Sequence, residues 1–295
     1  MKWLYPGFFL VVFICINNCK QKSAPAHIPV DKPVTNDTAI VEETRNDFKK
    51  FYDEYNVEGM FVLYDPKKKK YIFYNKSLFH QPETPASTFN IINTLIALEE
   101  GTIKDENTIM KWNGRKYNNP IASQDLDLKT AFKYNIDWYF WQLRLKTGGK
   151  KMKDWLNRMN YGDPPETIDS FRVTPSGVDS FWVISGTLNI TPAQQLDYIE
   201  KFYTGQLPFS ARSAGIVKKL LFEKDTSGYK IYGKRGSYRL NGENKYIGWF
   251  VGYLETRDDV YFFVNYIQSP NLHHPAIVDA QKNIAFRIFE TLDLK

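Results

Sequence analysis

Three strand-like runs near the C-terminal end constrain the fold most. "YKIYGKRGSYRL", "KYIGWFVGYLE" and "DVYFFVNYIQ" follow one another with only short polar turns between them. Aromatic and β-branched residues at period two predict strands, and short links make consecutive strands antiparallel neighbours. Near the other end, "GMFVLYD" (Gly59–Asp65) and "YIFYN" (Tyr71–Asn75) flank the run Lys67–Lys70 and predict a hairpin. "HPAIVDAQKNIAFRIFETL" closes the chain as an amphipathic helix, and residues 102–225 are mostly helical by pattern. The simplest architecture is α+β: one antiparallel sheet built from both chain ends, with terminal helices and an inserted helical subdomain.

With 295 residues, 43% of them hydrophobic, the chain can bury a large core. It needs one, because its two cysteines, Cys15 and Cys19, both lie in the atypical first segment. "MKWLYPGFFLVVFICINNC" has a basic start and an apolar run too short to span a bilayer. It reads as an export signal (1–18) ending in a degenerate lipobox, with Cys19 as the lipidated residue; plain secretion is the alternative. Residues 19–44, rich in Pro, Lys, Ser and Thr, read as a tether, and 45–295 as the folded domain. The expected location is the bacterial cell envelope, with the membrane reached through that lipid anchor. Net charge is +6. The lysine run is read as a solvated turn rather than a nucleic-acid patch, since interleaved aromatic stacking residues are missing.

The four histidines form no metal-ligand spacing and no phosphate-binding glycine loop is present, so no metal or cofactor is expected. "TPASTFNIINTLIALEEGT" predicts a helix over 88–100 stopped by Gly101. Ser87, just before it, reads as an N-cap on that stretch alone.

The wider pattern changes that reading. "PASTF" with "IALEEGTIKDENTIMKW", then "MNYGDP", "SFWVISGTLNITPAQQLDYI", "YGKRGSY" and "GWFVGYLE" stand in the same order as the motifs of class D serine β-lactamases. The chain resembles that family, within the penicillin-binding transpeptidase-like superfamily, over about residues 45–292. The resemblance implies the nucleophile at Ser87. It implies an ammonium at Lys234 that assists proton transfer and orients the substrate carboxylate. The Ser87 and Ser237 backbone N–H groups match the oxyanion hole, and Gly236 completes the Lys-x-Gly strand. Trp182 matches a tryptophan that supports the family's catalytic lysine, or is an ordinary core aromatic.

Four departures fall on the same motifs. The family's Ser-x-x-Lys is "STFN", and Asn90 has no basic lone pair to serve as the carboxylated general base. Its Ser-x-Val is "NID", with Asn135 in place of a proton-relaying hydroxyl and Asp137 in place of valine. Its Lys-Thr-Gly is "KRG", and Arg235 either supplies positive charge or closes the pocket. His274 aligns loosely with the arginine that grips the substrate carboxylate. Loss of a general base alone costs about 10²–10⁴ in rate. The exchange Lys to Asn at 90 and Val to Asp at 137 conserves one negative charge, so Asp137, bonded to Asn90, is a candidate base; pairing with Lys234 or facing solvent are its alternatives.

The expected function is penicillin recognition with serine acyl transfer on β-lactams, hydrolysis being weak or lost. The alternatives are a slow penicillin-binding protein that does not deacylate and a non-catalytic envelope lipoprotein. The expected partner is a β-lactam or peptidoglycan-stem-like ligand.

Overall fold

The structure is a computed structural model and describes residues 39–164, 168, 171–174, 177–183, 187–240, 245–270, 277–292 and 294. Cys19 and His274 lie outside the described residues. In chain order the elements are β1 (Val41–Thr44), α1 (Lys49–Asp53), β2 (Glu58–Asp65), β3 (Lys70–Tyr74), α2 (Asn90–Glu99), β4 (Ile109–Met110), β5 (Leu126–Asp127), α3 (Leu128–Tyr134), α4 (Asp137–Thr147), α5 (Gly149–Met159), β6 (Phe171–Thr174), β7 (Gly177–Ser180), α6 (Pro192–Tyr203), α7 (Ala211–Leu221), β8 (Phe222–Asp225), β9 (Lys230–Leu240), β10 (Lys245–Glu255), β11 (Val260–Ser269) and α8 (Ile277–Thr291).

The large sheet has strand order β1-β3-β2-β11-β10-β9-β8. The pairing of β2 with β11 joins the two chain ends, as the sequence implies. The lysine run is the turn between β2 and β3: Lys67 pairs with Asp259 and Lys68 with Asp65, while β3 already begins at Lys70. Side chains alternate across β2, and both faces are covered. Met60 and Val62 enter one core with α2, whereas Phe61 and Leu63 enter a second core with α1 and α8. Burial on both faces is why these strands carry apolar residues at nearly every position.

Three elements differ from the sequence expectation. Val41–Thr44, assigned to the tether by composition, pairs parallel with β3 as an edge strand. The 165–180 region contains an antiparallel hairpin of β6 with β7 inside the helical subdomain. The helix expected over 88–100 has a 3-10 turn at Ala86–Phe89 and then α2. It is not amphipathic in use: every residue from Asn90 to Leu98 is buried, Asn93 and Thr94 included. A helix buried on all sides is the centre of a subdomain rather than its cover.

Local signals explain the other helix ends. Thr191 and Gln194 form a reciprocal capping box at α6 with Pro192 in the first turn. Asp127 caps α3 by accepting from Thr130 N. Asn135 ends α3 with φ +53°, a left-handed position that asparagine tolerates. The stretch "NID" is therefore the corner between α3 and α4, with Asp137 in the first turn of α4.

Candidate active site

Ser87 is not an N-cap. It lies inside the 3-10 turn Ala86–Phe89, whose cap position is Pro85 and makes no side-chain cap bond. The residue before it, Ala86, is held at φ +49°. That left-handed conformation costs a non-glycine residue on the order of 1–2 kcal/mol, so the surroundings must enforce it. They do so with four hydrogen bonds. Trp249 Nε1 donates to Thr84 O at 2.9 Å, and Thr84 Oγ1 donates to Trp182 O at 2.8 Å. Thr88 Oγ1 donates to Pro85 O at 2.7 Å and accepts from Gln195 Nε2 at 2.8 Å. The segment is thus pinned to β10, to α6 and to the 181–183 turn at once.

β9 passes directly alongside. A Cβ at Gly236 would lie 2.6 Å from Thr88 N, 2.9 Å from Ser87 N and 3.1 Å from Pro85 O. Only glycine lets the strand backbone approach the serine this closely. β8 pairs with β9 only as far as Tyr232, so among the described residues no strand flanks β9 on that side from Gly233 onward. Ser87, Asp137, Ser180, Trp182, Val183, Ser237 and Tyr238 line one crevice of about 60 Å³. Four of the residues singled out in the sequence, Ser87, Asp137, Trp182 and Ser237, therefore meet. Ser87 is only 6% exposed, at the floor of this space.

Lys234, two residues before Gly236 on β9, is buried and is not among the residues that line the crevice. Lys234 Nζ donates to Phe132 O at 3.0 Å and to Asn135 Oδ1, and sits 4.6 Å from the Phe132 ring centroid. Burial, then repulsion from Arg235, brings its pKa down to about 7, while Glu223 and Asp137 oppose that shift. Asn135 also donates through Nδ2 to Arg235 O at 3.4 Å, tying the α3–α4 corner to β9. Arg235 points to the opposite face of the strand and pairs with Asp279 on α8. It is not among the residues that line the crevice, and its pairing with Asp279 carries the guanidinium toward α8.

Asn90 lies one helical turn beyond Ser87 and is 1% exposed. Its Oδ1 has no hydrogen-bond partner among the described residues, nor has Ser180 Oγ at the crevice wall. A buried acceptor left unmatched in this way costs roughly 1–3 kcal/mol. Asp137 is exposed in the first turn of α4, where a carboxylate complements the helix dipole. Trp182 is both a site residue and a core aromatic: it stacks on Phe89 with centroids 5.2 Å apart and lines the crevice. Ser180, in the hairpin just before "FW", was not singled out by sequence; its signal was only adjacency to Trp182. Among the described residues no group of three or more His, Cys, Asp or Glu side chains is placed to hold a metal.

Comparison with known proteins gives the same picture. The family described as "Penicillin binding protein transpeptidase domain" matches residues 56–290. The regulatory protein BlaR1 of Bacillus licheniformis is 31% identical over 223 residues, 76% of this chain and 35% of that protein. The chain thus spans about a third of the length of that relative. The solved C-terminal domain of the Bacillus licheniformis BlaR penicillin-receptor superposes with TM-score 0.74 at 29% identity, covering 85% of this chain and 96% of that domain. A class D β-lactamase from Sebaldella termitidis superposes with TM-score 0.76 at 30% identity, covering 87% of this chain and all of that one. With the serine, the strand and the sheet arranged as described, the chain belongs to the penicillin binding protein transpeptidase domain family, among its class D β-lactamase-like members.

Proposed function

We propose that this protein recognises penicillins and forms an acyl adduct at Ser87 that it releases slowly or not at all. The observation carrying this reading is the split within the site. Ser87, Gly236 and Ser237 are packed for acyl transfer, while the position one turn along holds Asn90, buried and without a base. Ser87 Oγ attacks the lactam carbonyl carbon, the lactam C–N bond breaks, and the nitrogen takes a proton. The Ser87 and Ser237 N–H groups hold the developing oxyanion, each worth about 10²–10³ in rate at such sites. Lys234, its pKa lowered chiefly by burial and its strand lying against the serine at Gly236, serves as proton acceptor for acylation. Asp137 is the second candidate, by its place on the crevice wall. Neither occupies position 90, where the family motif carries its carboxylated lysine.

An alternative reading is a binding module without chemistry. It is favoured by the size of the crevice, about 60 Å³ against the roughly 300–1,000 Å³ usual for ligand sites. In either case the protein acts at the cell envelope, held there through the lipid on Cys19, with a β-lactam or a peptidoglycan-stem-like acyl donor as its ligand.

Intact-mass measurement after incubation with benzylpenicillin tests the reading. A lasting adduct, mapped to Ser87 and absent in Ser87→Ala, is expected. No adduct over hours leaves only the binding module. A fast transient adduct with product release makes the protein a hydrolase. In Asp137→Val, an unchanged acylation rate removes Asp137 from the mechanism.

A further inference from the structure

A second and larger cavity adjoins the Ser87 crevice. It has about 280 Å³ and shares Asp137 as a lining residue with the crevice. Its back wall is the α3–α4 corner, including Asn135, which holds Lys234. Its other wall is the 113–119 loop. That loop is fixed by its own hydrogen bonds: Asn113 Nδ2 donates to Tyr117 Oη at 2.8 Å, Trp112 Nε1 donates to Arg115 O at 2.7 Å, and Tyr117 N donates to Ser123 Oγ at 3.0 Å. A wall ordered in advance costs little to use in binding.

The lining has a definite chemistry. Tyr117, Tyr134, Trp138 and Trp141 contribute aromatic surface. Charge comes from two cations, Arg115 and Lys116, and one anion, Asp137, a net of +1. Lys116 is exposed and has no ion-pair partner among the described residues. Size fits an aryl group with a polar substituent, since a cavity of roughly 150 Å³ already holds benzene. The crevice at Ser87 accommodates little beyond the reacting bond, so selection among acyl donors falls to the adjoining space.

We propose that this cavity receives the acyl side chain of the donor and selects for a side chain that bears both an aryl group and an anionic group, with Lys116 as the charge partner. The proposal rests on acyl transfer at Ser87. It goes further by naming the donor class and a specificity residue outside the family motifs.

Two penicillins isolate the charge: α-carboxybenzylpenicillin and benzylpenicillin differ by one side-chain carboxylate. Their acylation rate constants on the full chain are followed by time-resolved intact mass, with 6-aminopenicillanic acid as the donor lacking a side chain. The carboxylated compound is expected to acylate about fivefold faster than benzylpenicillin, the span of one partly exposed charge pair. Benzylpenicillin in turn outpaces 6-aminopenicillanic acid. Lys116→Met brings the ratio of the first two to about one, and Lys116→Glu drives it below one; a ratio is insensitive to a general loss of activity. A wild-type ratio of one or less, or a ratio unmoved by both variants, overturns the proposal while leaving acyl transfer intact. No adduct with any of the three overturns acyl transfer at Ser87 and this selection with it.

Discussion

The two halves of the site differ in how they are held. On the nucleophile side, Ser87 and its neighbours are fixed by bonds to β10, α6 and the 181–183 turn, and β9 lies against them with no room for a side chain at Gly236. On the proton-handling side, Asn90 keeps an unmatched buried acceptor, Asn135 takes the lysine's hydrogen bond, and Asp137 stands exposed at a helix start. One half is over-determined and the other is rebuilt. Under the proposed function, attack and oxyanion binding draw on the first set of contacts, and proton transfer and release of the adduct on the second.

Restoring the family residues on the rebuilt side is the strongest way to break this contrast. Asn90→Lys with Asn135→Ser is expected to raise turnover of a chromogenic penicillin by about 10² or more, the usual worth of a positioned base. The gain should increase with added bicarbonate. No gain would mean that the two halves are not independent.

Gly236→Ala attacks the preserved side. The new methyl meets backbone atoms of Thr88, Ser87 and Pro85, none of which can rotate away. Acylation, followed by adduct mass, should fall by about 10²–10³, equivalent to loss of one oxyanion donor. Retention of the wild-type rate would show that the close strand approach has no part in the chemistry.

The smallest effect concerns Lys234 and stability. Its folded-state pKa lies near 7, below the usual lysine range, because burial disfavours the charged amine. Between that pH and the unfolded lysine pKa of about 10.4, the unfolded chain binds more protons, so this group makes stability rise with pH. Tyr161, Tyr253 and Tyr266, raised by burial, act oppositely above about pH 10, where the unfolded chain loses tyrosine protons first. Denaturant midpoints from pH 7 to 9.5 should therefore climb in the wild type and stay flatter in Lys234→Met. Equal slopes would place the lysine's pKa elsewhere.

The sheet was legible because β9, β10 and β11 carry strong strand residues between short turns. The family was legible because its motifs keep their order along the chain. What sequence could not convey was depth and direction. Asn93 and Thr94 look like the wet side of an amphipathic helix, yet both are buried because α2 is covered on every side. The exit of Arg235 toward Asp279 follows from strand alternation, but only the fold reveals that an acidic partner waits on α8. β1 escaped notice because four residues of mixed polarity carry no periodic signal, and their pairing is with a distant segment.

The position of β1 has a mechanical consequence. The chain before Val41 enters the domain through this four-residue strand at one border of the sheet, and β3, β2, β11 and β10 separate it from β9. A pull on residues before Val41 would load the β1–β3 seam before any other strand pair of the sheet. Force entering at Val41 would therefore meet a short, separate seam well before it reached the strand that lies against Ser87.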